Sequence, residues 1–215
     1  SEDMVWTTPT IAIATQGNGD LVATNMSMVN GNRAVWSYSW DVASGTDEDG
    51  TANVTISGFD LAGNPNLPAT YSTFTIDNTP PAVSLSSTAS EPTGVPPISV
   101  TATFSEAVTG FVMGDIVVGN GAAGSFTIVS STVYRFTVTP TAQGLVTVNV
   151  GAGVAQDAAG NGNSSAPQLG RTYRLLPTVV LNSPNGGENL PIGSRATITW
   201  SSYGLTDNVR IDLSR

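Results

Sequence analysis

In two stretches of the chain, apolar residues recur at every second position. Residues 51–57 read TANVTIS, and residues 145–150 read LVTVNV. Such alternation indicates a β-strand that buries one of its faces. Each stretch leads into an Asp-x-Ala-Gly-Asn sequence, at Asp60–Asn64 and at Asp157–Asn161. Because glycine and asparagine tolerate positive φ and aspartate accepts hydrogen bonds from nearby backbone, these sequences predict tight turns.

The similarity between the two stretches extends over a whole repeat. Upstream, the stripe Trp36, Tyr38, Trp40 matches Tyr134, Phe136, Val138, and downstream Phe74 and Ile76 match Tyr173 and Leu175. A period of roughly 95–105 residues fits one β-sandwich per repeat. No stretch shows a helical period, so we expect an all-β protein with few helices.

Proline-rich junctions at Asp77–Pro81 and Leu175–Thr178 separate the repeats. Proline fixes its own φ and restrains the preceding residue, so these links should be stiff. We therefore predict three domains. They are a first sandwich at residues 1–79 that lacks its opening strands, a complete sandwich at 80–176, and a partial third sandwich at 177–215.

The two outer domains are predicted to be incomplete at opposite ends of the domain. Ser1-Glu2 aligns with Ser105-Glu106, which ends the second strand of the complete domain, so the first domain should begin at its third strand. At the other end, three segments predict only the opening strands of a domain: Thr178–Leu181, Ala196–Trp200 and Val209–Leu213. The chain is then either a fragment or a subunit that takes its missing strands from a neighbouring copy.

Composition excludes several classes of function. The formal net charge is −9, the basic residues are all arginine, and neither cysteine nor histidine occurs. A basic surface for nucleic acid is therefore absent, as are disulfides, thiolate or imidazole metal sites and a Ser-His-Asp triad. No apolar run approaches the ~20 residues that a membrane helix needs. Calcium, which takes oxygen ligands, remains the natural cation for this acidic chain.

Three segments of the central domain resemble a bacterial immunoglobulin-like tandem repeat of large surface and adhesin proteins. They read TATFSEAVTGFVMGDIVVGNG (101–121), YRFTVTPTAQGLVTVNV (134–150) and AQDAAGNGN (155–163). Residues 1–81 resemble the same superfamily through YSWDVASGTDEDGTANVTISGFDLAGN. Residues 178–215 resemble the start of a secreted, Ser/Thr-rich cell-wall-type β-sandwich through SPNGGENLPIGSRATITW.

The resemblance implies tandem immunoglobulin-like β-sandwiches on the surface of a prokaryotic cell. Their expected function is non-catalytic: a rigid spacer or a filament subunit, with the same chain or neighbouring domains as partners. An adhesin or carbohydrate-binding module that uses its exposed loops is the alternative. A glycosidase is not expected, because Asp47, Glu48 and Asp49 lie in a predicted solvated hairpin, whereas a catalytic pair needs a cleft and facing carboxyl groups.

Acidic residues should converge where the first two domains meet. The loops that carry Glu106 and Asp157 return to the pole of the sandwich at which the linker with Asp77 and Asn78 enters. The loop Asp47–Asp49 should lie at the far pole of the first domain and face the same junction. Carboxylates held this close repel unless a cation intervenes, and calcium suits such a site. The resemblance also implies interdomain calcium at Asp77, Glu106 and Asp157. The alternative is that Asp157 only caps its own turn.

The matching positions in the first domain and the composition of the second junction lead to two further expectations about calcium. In the first domain, Glu2 and Asp60 occupy the positions that match Glu106 and Asp157, and they form a second candidate site. The junction at Leu175–Pro177 has no acidic residue where Asp77 stands in the first junction. We therefore expect no calcium at the second junction.

Two remaining patterns each have a structural and a functional interpretation. The stripe Trp36, Tyr38, Trp40 is either core or a platform for stacking sugars, and its match to Tyr134, Phe136, Val138 favours core. The sequons that begin at Asn25, Asn53 and Asn163 are possible glycosylation sites or chance matches in a chain rich in asparagine and serine.

Overall fold

The structure is a computed structural model of the chain. It describes residues 7–17, 19–42, 44–45, 48–60, 62–66, 69–205 and 210, with backbone only at 33–34 and 69–72. The chain divides into two compact units. The first unit contains Ser1–Val83, Phe104–Phe111 and Ala152–Ser165, and the second contains Ser84–Thr103, Val112–Gly151 and Ala166–Arg215.

The first unit is built on a 4-stranded antiparallel sheet. The described strands of this unit are β1 (Thr10–Ala14), β2 (Leu21–Asn25), β3 (Ser27–Val29), β4 (Asn32–Ser37), β5 (Gly50–Ser57) and β6 (Ala69–Ile76). The sheet has the order β2-β1-β5-β6, and β3 and β4 form a separate hairpin. A small core of Ile11, Ile13, Ala52 and Ile76 lies on one face, with Trp40 and Val54 packed against it.

The segment between Val83 and Tyr173 forms two sheets. Its strands are β7 (Val83–Ser86), β8 (Ile98–Phe104), β9 (Ile116–Gly119), β10 (Gly121–Ile128), β11 (Val133–Pro140), β12 (Gly144–Val150) and β13 (Leu169–Tyr173). The orders are β10-β11-β8-β7 and β13-β12-β9. The inward positions of β8, β11 and β12 are buried, as their alternation predicts. The predicted all-β sandwich class is confirmed.

The last described segment is a hairpin of β14 (Thr178–Ser183) and β15 (Thr199–Tyr203). These strands fall close to the predicted segments Thr178–Leu181 and Ala196–Trp200, whereas most of Val209–Leu213 lies outside the described residues. Every residue of both strands is exposed, including apolar ones.

The aromatic stripe of the first unit is not uniformly core. Strand β4 ends at Ser37, Trp36 and Trp40 are half-buried, and Tyr38 is 36% exposed. The matching Phe136 on β11 is only 2% exposed. The prediction of core is therefore wrong for Tyr38. The physical reason is that β8 pairs along β11, whereas among the described residues β4 pairs only with β3.

Candidate metal centre

The turn that carries Asp157 is fixed by its own side chain. Asp157 Oδ1 accepts hydrogen bonds from the backbone of Ala159 at 2.8 Å and of Asn161 at 2.9 Å. Asn161 Nδ2 donates to Asp157 Oδ2 at 2.9 Å, and Gly160 adopts a φ of 94°. The short aspartate side chain bonds the backbone that follows it, and glycine supplies the left-handed residue that the turn needs. The carboxylate is thus held in one orientation.

The linker at Asp77 is attached to this turn and to the loop before β5. Asn161 Nδ2 also donates to the backbone carbonyl of Asp77 at 2.9 Å. Asp49 Oδ1 accepts from the backbone N–H of Asn78 at 2.6 Å, and the Thr79 hydroxyl donates to Asp49 Oδ2. All of these residues belong to the first unit. The backbone around Asp77 is therefore held from both sides.

Asp77, Glu106 and Asp157 form an acidic cluster. One carboxylate oxygen from each lies within 4.8 Å of the other two. Asp157 is buried, and Asp77 and Glu106 are half-buried. The three residues come from three separate segments of the first unit. Such a set of oxygens is of the kind that a hard divalent cation takes as ligands.

The environment of the cluster raises the pKa of one of its members, Glu106. Burial, followed by the nearby charges of Asp77, Asp157 and Asp49, raises the pKa of Glu106. Burial alone would also raise the pKa of Asp157, but the hydrogen bonds that Asp157 accepts from its turn outweigh burial and lower it. The hydrogen bond from the Thr79 hydroxyl and then that from the Asn78 backbone lower the pKa of Asp49. Several negative charges thus surround one carboxyl group that resists ionisation.

The remaining candidate ligands lie elsewhere or outside the described residues. The Asn78 side chain donates from Nδ2 to the Gly45 carbonyl at 3.0 Å. Asp60 lies in its own turn, where Asn64 donates to it from the backbone and from Nδ2, both at 2.8 Å. Glu2, the other half of the second candidate site, lies outside the described residues, as does Asp47.

The two Asp-x-Ala-Gly-Asn turns share one further residue that the sequence analysis missed. The backbone N–H of Ala155 donates to Asn163 Oδ1 at 2.8 Å, and that of Gly58 donates to Asn66 Oδ1 at the same distance. The signal was present, because an asparagine stands two residues after each turn sequence. The environments differ, since Asn163 is 2% exposed and Asn66 is exposed.

The asparagines of the three sequons also differ in exposure. Asn163 uses Oδ1 on Ala155 and donates from Nδ2 to the Ser164 carbonyl at 2.7 Å, so its side chain is part of the fold. Glycosylation needs an accessible asparagine, and the buried Asn163 does not meet this condition. Asn25 and Asn53 are exposed.

The comparisons with known proteins concern the segment that holds the cluster. The model of a family described as a bacterial Ig-like domain matches residues 77–173. No curated protein matches the chain. Within the described residues, we find no helix with the length and apolar character that crossing a membrane requires. The match begins at Asp77 and includes Glu106, Asp157 and both sheets between Val83 and Tyr173. Over residues 77–173, the chain is therefore similar to a bacterial Ig-like domain.

Proposed function

We propose that the chain is a non-catalytic structural module of an extracellular surface protein, stabilised by calcium at the acidic cluster. Bacterial immunoglobulin-like domains are extracellular modules of structural or adhesive type. The observation that carries the finer proposal is the approach of three carboxylates from three chain segments to within 4.8 Å. A bound cation would join these segments.

The electrostatics support a cation in preference to an empty acidic surface. Like charges at this separation disfavour each other's ionised form, and burial together with this repulsion raises the pKa of Glu106. A divalent cation would convert the same charges from a source of repulsion into ligands. The cluster therefore costs stability without calcium and adds stability with it.

The local hydrogen bonds also support this role. Asp157 is oriented by its turn before any ligand arrives, and its Oδ2, which accepts one hydrogen bond there, retains capacity for a further ligand. The Asp77 backbone is held by Asn161. A site that is already ordered loses little conformational entropy on binding. Calcium accepts variable geometry and more ligands than magnesium does, so it suits a site that backbone carbonyls and water complete.

Calorimetric unfolding of the full chain with calcium and with chelator tests the proposal. Extracellular calcium modules bind with Kd near 0.1–1 mM, so about 10 mM calcium should stabilise by roughly 1.4–2.7 kcal/mol. Glu106→Gln should abolish most of this gain and should be at least as stable as the parent in chelator. Glu188→Gln, which removes an acid at another place, is the matched control and should keep the gain.

Two outcomes would refute the cluster as a calcium site. One is an equal calcium effect in the parent and in Glu106→Gln, and the other is no calcium effect in the parent. The second candidate site, Glu2 with Asp60, stays a separate prediction. If it binds calcium, titration calorimetry should give two sites in the parent and one in Asp60→Asn.

A further inference from the structure

The sheet β10-β11-β8-β7 carries a groove of about 320 Å³ that the proposed function does not use. The outward positions of β8 and β11 line this groove, whereas the buried positions of the same strands form the core. Val100 and Phe136 also border it, but they are 1% and 2% exposed, so their side chains belong to the core. The outward side chains of the lining are serine, threonine and arginine, and they include Ser86, Thr88, Ser99, Thr101, Arg135 and Thr137.

The register of the strands gathers the centre of this lining. Arg135 lies opposite Thr101, and Thr137 lies opposite Ser99. Residues directly opposite each other in an antiparallel pair project from the same face of the sheet. On the other side of β11, strand β10 is irregular at Ser125, a lining residue whose φ is 48°. Short hydroxyl side chains therefore surround a single long arginine, and together they form what we call the hydroxyl groove.

The charge of Arg135 has no counterpart in this groove. Arg135 is exposed, and it is the one charged residue among the described residues that line the groove. Within the described part of the chain, its guanidinium forms no hydrogen bond or ion pair. Arg171 of the same unit differs, because its Nη2 donates to the Ser87 carbonyl at 3.0 Å and its charge acts on nearby Glu91. The guanidinium of Arg135 can therefore pair with a ligand.

The acidity of the chain is concentrated away from the unit that contains the groove. All residues of the groove belong to the second unit, which has five acidic residues and six arginines. The first unit has the other eleven acidic residues and one arginine. Charges farther away than about 8 Å are largely screened at physiological ionic strength. The unit around the groove is thus not acidic overall, although the formal net charge of the chain is −9.

We propose that the hydroxyl groove binds the carboxylate of an acidic sugar. A planar guanidinium pairs with a carboxylate through two parallel N–H···O bonds, and arginine is suited to this geometry. The surrounding serine and threonine hydroxyls both donate and accept hydrogen bonds, as the hydroxyls of a sugar ring do. The volume of the groove is at the small end of the range for ligand cavities, which suits one sugar residue. This proposal does not depend on calcium.

Titration of the ¹⁵N-labelled full chain with methyl glucuronide tests the groove by NMR. The titration is done in chelator, so that calcium cannot bridge sugar and protein. Saturable amide shifts should appear at Ser99, Thr101 and Thr137. Methyl glucoside, which has a hydroxymethyl group in place of the carboxylate, should bind about 10- to 100-fold more weakly, because the charge-assisted hydrogen bonds are lost. Acetate should also bind more weakly, because it leaves the hydroxyls of the groove unused.

Two pairs of variants separate the groove from a general attraction of anions. Arg135→Gln should abolish binding, whereas Arg174→Gln, which removes another exposed arginine outside the groove, should bind like the parent. Thr137→Val removes a lining hydroxyl and should weaken binding of methyl glucuronide but not of acetate. Thr139→Val, which removes an exposed hydroxyl of the same strand outside the lining, should have no effect. Urea unfolding checks that all four variants fold like the parent.

Four outcomes would overturn the proposal. The first is no saturable shift with methyl glucuronide, and the second is equal binding by the parent and Arg135→Gln. The third is equal affinity for methyl glucuronide and methyl glucoside, because the charge of Arg135 would then play no part. The fourth is equal affinity for methyl glucuronide and acetate, because the groove would then bind a bare carboxylate and not a sugar.

Discussion

The two matching turns allow one asparagine to be tested in a buried and in an exposed setting. Asn163→Ala removes the acceptor for the Ala155 N–H, in a bond that is buried, and the donor to the Ser164 carbonyl, in a bond that is partly buried. Ala155 and Asn163 are each 2% exposed. An unsatisfied buried donor costs about 1–3 kcal/mol and a lost hydrogen bond about 1 kcal/mol. We expect Asn163→Ala to lower the free energy of unfolding by about 2–4 kcal/mol.

Asn66→Ala removes the same kind of contact at the surface. Asn66 accepts from Gly58 at 2.8 Å and donates to the Ile56 carbonyl at 3.2 Å, but it is exposed. Water can replace both partners, so the expected loss is about 1 kcal/mol or less. Urea unfolding gives the two free energies, and amide exchange at Ala155 and Gly58 shows whether each loss is local. Equal losses in the two variants would refute the view that burial sets the cost.

Three further predictions concern charge and core. Without calcium, the pKa of Glu106 is higher in the folded state than in the unfolded state, so ionisation of Glu106 lowers the stability of the parent as pH rises through that range. Urea unfolding in chelator should therefore show Glu106→Gln becoming more stable relative to the parent with rising pH, and calcium should reverse this trend. The side-chain and then the backbone hydrogen bonds from Thr172 lower the pKa of Glu91, so the stabilisation by ionised Glu91 is present above its unfolded-state pKa and is lost as pH falls through its folded-state pKa. Glu91→Gln should therefore speed amide exchange at Thr172 at neutral pH and match the parent in acid. Phe136→Ala, at a position 2% exposed, should lower the urea-unfolding free energy by about 3–5 kcal/mol.

The sequence predicted the elements whose information is local. Alternation predicted strands at β5 and β12, because a strand with one buried face repeats its environment at every second residue. The Asp-x-Ala-Gly-Asn sequences predicted turns, and the side chains of Asp60 and Asp157 form the expected caps. Both features depend on residues close together in the chain.

Contacts between distant segments were predicted only where topology constrained them. The approach of Asp77, Glu106 and Asp157 followed from the loops that share one pole of a sandwich. The loop with Asp49 was expected at the same junction, but its bonds to Asn78 and Thr79 were not, because no pattern states which atoms a distant carboxylate meets. The exposure of Tyr38 was missed for a related reason, since alternation identifies the inward face but not whether a strand covers it.

The geometry of the repeated turn allows its aspartate to cap the turn and to face a cation at the same time. Asp60 and Asp157 accept nearly identical hydrogen bonds within their turns, so the cap alone does not distinguish them. Among the described residues, what distinguishes Asp157 is the pair of carboxylates brought within 4.8 Å by other segments. The cap fixes the direction of the carboxylate, and Oδ2 of Asp157 keeps capacity for a further ligand. The same local sequence therefore forms a turn in both repeats, and among the described residues the tertiary structure adds two neighbouring carboxylates at Asp157 alone.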